Sequence, residues 1–274
     1  MAIDFRKCLY ALSDVMMNRP APLRLFDQIY MKLPDMLLQA EAASRWFNEK
    51  SVLFVGDGDA IGLTMAHLSA NDLIPGKPSK IKVLDFDERV INSITQFANQ
   101  HGLGDLISAE LYNVADPLPE DHQRRYDAFY TNPPWGASND GESVISFIKR
   151  GIESLDPEGM ACIVIGDHDN HPWTHQVQLV VQKYFVAEDF RLAEMLPEFH
   201  RYHLDDSPEL TSCALLFKSA GEYKQYESLP LPKESLQNFY GKGIPLKVRY
   251  VRDRTNGGKL MTRDVELEPI KMEE

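Results

Sequence analysis

Basic residues are in short supply in this chain of 274 residues: 29 Lys and Arg stand against 41 Asp and Glu, a formal net charge of −12. Binding a phosphate backbone needs clustered cations, so the balance argues against nucleic acid as a partner, while a cationic small molecule would be attracted and steered. Cysteine is also scarce. Cys8, Cys162 and Cys213 are scattered and odd in number, which excludes a disulfide framework and a zinc knuckle and reads as small buried residues in a reducing compartment. No apolar run approaches the roughly 20 residues that cross a bilayer. The segment Met1–Lys7 lacks the basic stretch and apolar core of a signal peptide. The expected compartment is therefore the cytoplasm, with no membrane partner. Internal repeats and low-complexity tracts are missing too. What remains is 43% hydrophobic material, enough for one large domain or one domain with a small appendage.

The texture along the chain suggests three parts. Residues 1–50 read as a helical N-terminal segment interrupted by Pro20, Pro22 and Pro34. Residues 51–222 alternate short apolar strands with helices of 10–15 residues. The expected order is strand Ser51–Val55, helix Ile61–Ala70, strand Ile81–Asp85, helix Glu88–His101, a weaker strand Glu110–Tyr112, strand Tyr126–Tyr130, helix Glu142–Leu155 and strand Met160–Ile165. A later strand is expected at Thr211–Phe217. Such alternation predicts an α/β chain with a Rossmann-like, doubly wound, mostly parallel sheet. Residues 223–274 read as a C-terminal extension, with a β-hairpin of Leu246–Arg252 and Leu260–Val265 around Asn256-Gly257-Gly258. The hairpin cations, Arg249, Arg252 and Arg254 among them, read as charge protecting a solvated edge rather than as a phosphate-binding strip.

Candidate chemistry gathers at the predicted strand ends, where doubly wound folds bind ligands. Gly56-Asp57-Gly58-Asp59 follows the first strand. Its glycines permit close backbone approach to a ligand, but a dinucleotide loop would need G-x-G-x-x-G, and two aspartates would repel a pyrophosphate. A cationic sulfonium or amine fits better. Asp85 closes the second strand, at the spacing where an acid accepts hydrogen bonds from ribose hydroxyls. Asn113 follows the third strand and is expected to meet an adenine edge. Asn132-Pro133-Pro134-Trp135 ends the fourth; its prolines stiffen the loop, and the Asn amide can hold an amino group. The same tetrapeptide type occurs in amino-group methyltransferases. Asp167, His168 and Asp169 end the fifth strand. His168, His171 and His175 have no companion motif of defined spacing, so no metal is expected. Asp205, Asp206 and Glu209 precede the last strand. Together with Asp167 and Asp169 they are expected to line an acidic trough that holds protonated amines.

From about Phe26 to Phe217 the chain resembles the branched-chain polyamine synthases, the N4-bis(aminopropyl)spermidine synthases. The resemblance rests on Phe26-Asp27-Gln28, the Gly56–Asp59 loop, the strand-four Pro-Pro loop, Ile148-Lys149-Arg150-Gly151-Ile152-Glu153 and the block His203-Leu204-Asp205-Asp206-Ser207-Pro208-Glu209-Leu210-Thr211-Ser212. It implies decarboxylated S-adenosylmethionine as donor and a linear polyamine such as spermidine as acceptor. Asp27, Gln28, Trp135 and His203 then become substrate-binding candidates. Asp59 becomes the proton acceptor, exposed in its loop and removable at little cost in stability, with Asp57 orienting the donor. Three departures stand out. Gly58 replaces an acid of the family's loop, Asn132 stands where the strand-four motif begins with Asp, and Asn113 stands where an acid is common. The acceptor is then expected to be shorter, or the product linear. The alternative carried forward is S-adenosylmethionine-dependent methylation of an amino group. The oligomeric state stays open, a homodimer among its options.

Overall fold

The first helix, α1 (Phe5–Asn18), is started by Asp4, whose carboxylate accepts from Lys7 N at 3.2 Å. A short helical turn at Arg24–Phe26 precedes α2 (Leu33–Trp46), which opens with Pro34 at a position that needs no backbone donor. The computed structural model describes residues 3–221, 224, 226–255 and 265–270. No described helix is long and apolar enough to cross a membrane.

The alternating region follows the expectation closely. In order come β1 (Ser51–Val55), α3 (Ile61–Ala70), β2 (Lys80–Asp85), α4 (Glu88–His101), β3 (Ile107–Leu111), β4 (Tyr126–Thr131), α5 (Glu142–Ser154), β5 (Leu155–Gly166), α6 (Pro172–Ala187), β6 (Phe190–Arg201) and β7 (Thr211–Ser219). They build a seven-stranded sheet in the order β3-β2-β1-β4-β5-β7-β6. The first five strands pair in parallel, and β7 enters antiparallel between β5 and β6. Parallel strands need right-handed crossovers, so the helices fall on both faces and the central strands are buried on each side. Leu53, Phe54 and Val55 of β1 are accordingly 0 to 1% exposed. One apolar cluster unites α1, α2 and α3 with one face of the sheet, and a second packs α5 and α6 on the other.

Two expectations are corrected. The third strand begins earlier than Glu110, at Ile107, and stops at Leu111. The edge strand β6 (Phe190–Arg201) lies where no strand was expected. That strand hides from pattern reading for a physical reason. It has no regular alternation of buried and exposed residues, its register slips at Leu192/Glu194 and Leu196/His200, and it carries Pro197, which an edge tolerates.

Past the sheet, β8 (Val248–Asp253) and β9 (Val265–Pro269) pair antiparallel. The turn Asn256-Gly257-Gly258 and the rest of 256–264 lie outside the described residues. Arg249 pairs with Asp116, Arg252 with Glu88 and Glu268, and Arg254 with Glu266. These cations are paired with carboxylates of the same chain.

Candidate active site

A cavity of about 280 Å³ opens at the carboxyl ends of β1, β2 and β4. Gly56–Asp59 after β1, Asp85 after β2, Asn113 after β3 and Asn132–Trp135 after β4 line it. Asp27 and Gln28 reach it from the segment between α1 and α2, and Asn238–Gly241 close it from the C-terminal side. Four carboxylates line this space, and among the described residues no Lys, Arg or His does.

The first loop is shaped by hydrogen bonds that sequence alone does not show. Gly56 takes φ +78°, and Ala60, a residue with a side chain, is held at φ 60° just before α3. Backbone strain of this kind costs on the order of 1 kcal/mol and collects at functional sites. Asp57 is 4% exposed, and its carboxylate accepts from Ile61 N at 2.8 Å and Gly62 N at 3.0 and 3.2 Å. A side chain at Gly62 would bring a Cβ to 3.0 Å from Asp57 Oδ2, so the glycine makes room for the carboxylate. Asp57 thus caps the first turn of α3. Burial raises its pKa well above the ordinary carboxylate range, those helix N–H groups oppose the rise, and the nearby Asp59 and Asp85 add to it. Asp57, expected to orient a donor, lines the cavity and also holds the helix that carries the loop.

Asp59 is 7% exposed, not the exposed loop residue expected. Its Oδ1 accepts from Met31 N at 2.7 Å, and its Oδ2 accepts from Asn132 Nδ2 at 2.7 Å. Behind it lies Arg19, itself 7% exposed, with Nη1 3.9 Å from Oδ1 and donating to the Asp59 carbonyl at 3.1 Å. The guanidinium stacks 3.9 Å from the Tyr30 ring centroid. Burial raises the Asp59 pKa, and Arg19 together with the Met31 and Asn132 bonds restrains the rise.

Asp85 accepts from Asp57 N at 3.0 Å and Asp87 N at 2.9 Å, tying the second strand end to the first loop. Burial, then the charge of Asp87, pushes its pKa to about 7. Asp27 sits at φ 58°, and burial pushes it to about 6 against the pull of Arg24. Gln28 lines the cavity while its amide is committed to Leu23 N and Asp87 Oδ2 at 2.7 and 3.1 Å.

Asn113 is a second correction. It lines the cavity, but Nδ2 donates to Val248 O and Arg249 O at 3.0 and 2.7 Å, and Oδ1 accepts from Ala115 N at 2.8 Å. Its amide anchors β8 rather than facing an adenine edge.

The third correction is the acidic trough. Asp167, His168, Asp169, His203, Asp205, Asp206 and Glu209 do not line the cavity. Asp167 is buried elsewhere, accepting from Gln178 Nε2 and Glu198 N at 2.8 Å each. Asp169 lies 3.7 Å from His175, Glu209 2.9 Å from His171 and Asp206 3.6 Å from Arg24. The exposed His203 donates its backbone N–H to Tyr30 O at 2.9 Å. The loop that carries the acids turns Tyr202, Leu204 and Leu210 to the cavity instead. No group of three His, Cys, Asp or Glu among the described residues is placed to hold a metal.

Arg19, Tyr30, Tyr130, Trp173, Tyr202, Phe239 and Tyr240 went unnoticed in the sequence as parts of this site. Most come from distant segments and carry no local signal. Tyr130 does carry one, since it lies two residues before Asn132 and so on the same face of β4. Its hydroxyl is buried at the cavity wall and has no hydrogen-bond partner among the described residues, a polar group left for a ligand. Phe26, Phe86 and Tyr240 surround the Asp85 side of the cavity, with ring centroids 5.4 to 6.3 Å apart. Trp135, Trp173 and Tyr202 wall the Asn132 side, at 5.2 and 6.4 Å.

The strand order and a ligand cavity at the strand ends define a Rossmann-like chain of the S-adenosylmethionine-transferase fold class. Within that class residues 8–255 match the family described as the branched-chain polyamine synthase A C-terminal domain, and the chain belongs to this family. It is 27% identical over 187 residues to the N(4)-bis(aminopropyl)spermidine synthase of Thermus thermophilus, covering 68% of this chain and 50% of that protein. It is 30% identical over 162 residues to the N(4)-bis(aminopropyl)spermidine synthase of Methanocaldococcus jannaschii, covering 58% and 42%. The chain spans half or less of the length of these curated relatives. The crystal structure of the branched-chain polyamine synthase C9 mutein from Thermus thermophilus, in complex with N4-aminopropylspermidine and 5′-methylthioadenosine, superposes with a TM-score of 0.70 at 20% identity, covering 86% of this chain and 70% of that one. A SAM-dependent O-methyltransferase from Thermotoga maritima superposes at 0.50 with 15% identity, covering 78% and 72%. At these identities the solved structures speak for the fold.

Proposed function

We propose that the chain transfers an aminopropyl group from decarboxylated S-adenosylmethionine to an amine of a polyamine such as spermidine. The observation that carries this is the cavity's charge: four carboxylates and, among the described residues, no cation line it. A donor with its own carboxylate would find acids and no cation to pair with there, whereas the sulfonium and ammonium of a decarboxylated donor would favour the ionised form of acids whose pKa burial has raised. The family, and relatives named for this activity, support the same reading.

The residues fit such a donor. Asp85 accepts from ribose hydroxyls, the aromatic rings beside it receive the adenine, and the Tyr130 hydroxyl, without a partner among the described residues, offers a further contact. The acceptor nitrogen, protonated at neutral pH, gives its proton to Asp59, whose raised pKa suits a general base. Its lone pair then forms the N–C bond, the S–C bond breaks, and that electron pair leaves the sulfur neutral as a thioether. Holding the two reactants together supplies much of the acceleration, because the sulfonium is already activated.

The test is to incubate the protein with decarboxylated S-adenosylmethionine or S-adenosylmethionine and a panel of amines, and to read product masses. Aminopropylated amines are expected; methylated amines would return the methyltransferase alternative.

A further inference from the structure

Behind the acceptor side of the cavity runs a chain of buried polar groups that the proposed reaction does not use. Gln39, His200 and Ser212 are 0% exposed and Tyr202 is 3% exposed. Gln39 Nε2 donates to Cys162 Sγ at 3.7 Å, so its Oε1 faces His200 Nε2 at 2.7 Å. On the other side of the ring His200 Nδ1 lies 2.8 Å from the Ser212 hydroxyl, and the Ser212 hydroxyl lies 2.8 Å from the Tyr202 hydroxyl. Tyr202 is the member that lines the cavity, and its oxygen lies against the Asn132 amide.

These contacts set the direction of every proton in the chain. An amide oxygen only accepts, so His200 Nε2 must carry the hydrogen. Burial depresses the His200 pKa to about 3, so the ring is neutral and Nδ1 holds a lone pair. Ser212 has one hydroxyl hydrogen, and Nδ1 takes it. The Ser212 oxygen is then left as the acceptor for the Tyr202 hydroxyl. The Tyr202 proton therefore points into the protein, and its remaining lone pairs point to Asn132 and the cavity. One of the two Asn132 Nδ2 hydrogens goes to Asp59, the other faces Tyr202, and Asn132 Oδ1 accepts from Trp135 Nε1 at 3.2 Å.

We infer that Tyr202 is a specificity-determining residue that accepts an N–H of the attacking amine, and that Ser212, His200 and Gln39 are positioning residues that hold its hydroxyl as an acceptor. Beside Asp59, which takes the amine's proton, Tyr202 Oη then offers the amine an acceptor. An attacking amine keeps its lone pair free for carbon when its hydrogens are the groups held. A Tyr202 hydrogen turned to the cavity would instead bind that lone pair and block attack. The arrangement selects nitrogen nucleophiles bearing N–H bonds over tertiary amines and ethers of the same shape. The inference rests on the proposed transfer for its kinetic part, whereas the proton direction stands apart from it.

The test therefore has two readouts on the intact chain. Imidazole ¹⁵N NMR of histidine-labelled protein is expected to show His200 neutral and protonated at Nε2, with Ser212→Ala moving the Nδ1 resonance alone. A His200 ring protonated at Nδ1 overturns the inference, whatever the enzyme does. In steady-state assays with decarboxylated S-adenosylmethionine and spermidine, Tyr202→Phe and Ser212→Ala are expected to lower kcat/KM for the amine about tenfold and leave the donor KM unchanged. Ser212→Thr, which keeps a hydroxyl, is expected to restore it. Variants that lose only melting temperature, with amine kcat/KM within twofold of the parent, would reduce the chain to a structural role. Should Ser212→Ala fail to fold, Tyr202→Phe keeps the ring and decides the same point. Should the parent turn over no amine at all, the proposed function fails while the NMR readout still judges the proton direction.

Discussion

Two clusters of acids sit on this molecule, alike in sequence and opposite in physics. Asp57, Asp59 and Asp85 are 4 to 7% exposed at the ends of parallel strands. Asp169, Asp206 and Glu209 have side chains 93, 76 and 47% exposed, each beside a histidine or arginine on the surface. In the first cluster burial raises all three pKa values, and backbone N–H groups hold the carboxylates in place. In the second, each charge is met by a partner and by water. The difference teaches that acidic residues near a predicted strand end do not by themselves make a cation site. The strand order reverses between the paired strands β1 and β4, which leaves a crevice at their carboxyl ends, and the three aspartates line it. The loop before β7 turns Tyr202, Leu204 and Leu210 to that crevice and leaves Asp206 and Glu209 at the surface, as the loop after β5 leaves Asp169.

The largest expected contrast is at Asp59. Asp59→Asn should lower kcat by about 10²- to 10⁴-fold. It should also destabilise the fold by about 3 kcal/mol, because Arg19 is left buried beside a neutral group. Single-turnover kinetics and denaturant melts measure both; an Asp59→Asn enzyme with most of its kcat would move the proton acceptor elsewhere. The next effect is in the pH dependence of stability. The folded pKa of Asp85, about 7, lies above the ordinary value of 3.8. The folded chain therefore holds this proton longer than the unfolded one, and the stability so gained is full in acid and lost as pH rises from about 4 to about 7. Asp27, at about 6, adds in the same direction. Melts across that window should show a fall of about 6 kcal/mol, flattened in Asp85→Asn; a parent that grows more stable from pH 5 to 7 would contradict it. The smallest effect is expected at the surface cluster. Asp206→Asn and Glu209→Gln should shift stability by less than about 1 kcal/mol and acceptor KM by less than twofold. A severalfold rise in acceptor KM would restore the trough and erase the contrast.

The sequence made one of these clusters legible and misread the other. Strand Ser51–Val55, helix Ile61–Ala70 and helix Glu88–His101 are found where apolar periodicity puts them, because a doubly wound sheet demands buried strands and two-sided helices. The Gly56–Asp59 loop, Asp85 and Asn132 follow from that frame, since strand ends converge. The partners of these residues do not follow. Arg19 reaches Asp59 from 40 positions away, and Asn113 turns to a strand 135 positions away, contacts that no local pattern encodes. Edge strand β6, with its slipped register and its proline, hid the route by which His200 and Tyr202 enter the core. Acidic composition could suggest a cationic ligand, but only the structure shows which acids line a cavity.

The central claim is that the buried cluster selects a donor without a carboxylate. Calorimetric titration of the protein with decarboxylated S-adenosylmethionine and with S-adenosylmethionine tests it most directly. The four carboxylates predict at least tenfold tighter binding of the decarboxylated donor; equal or tighter binding of S-adenosylmethionine would contradict the account.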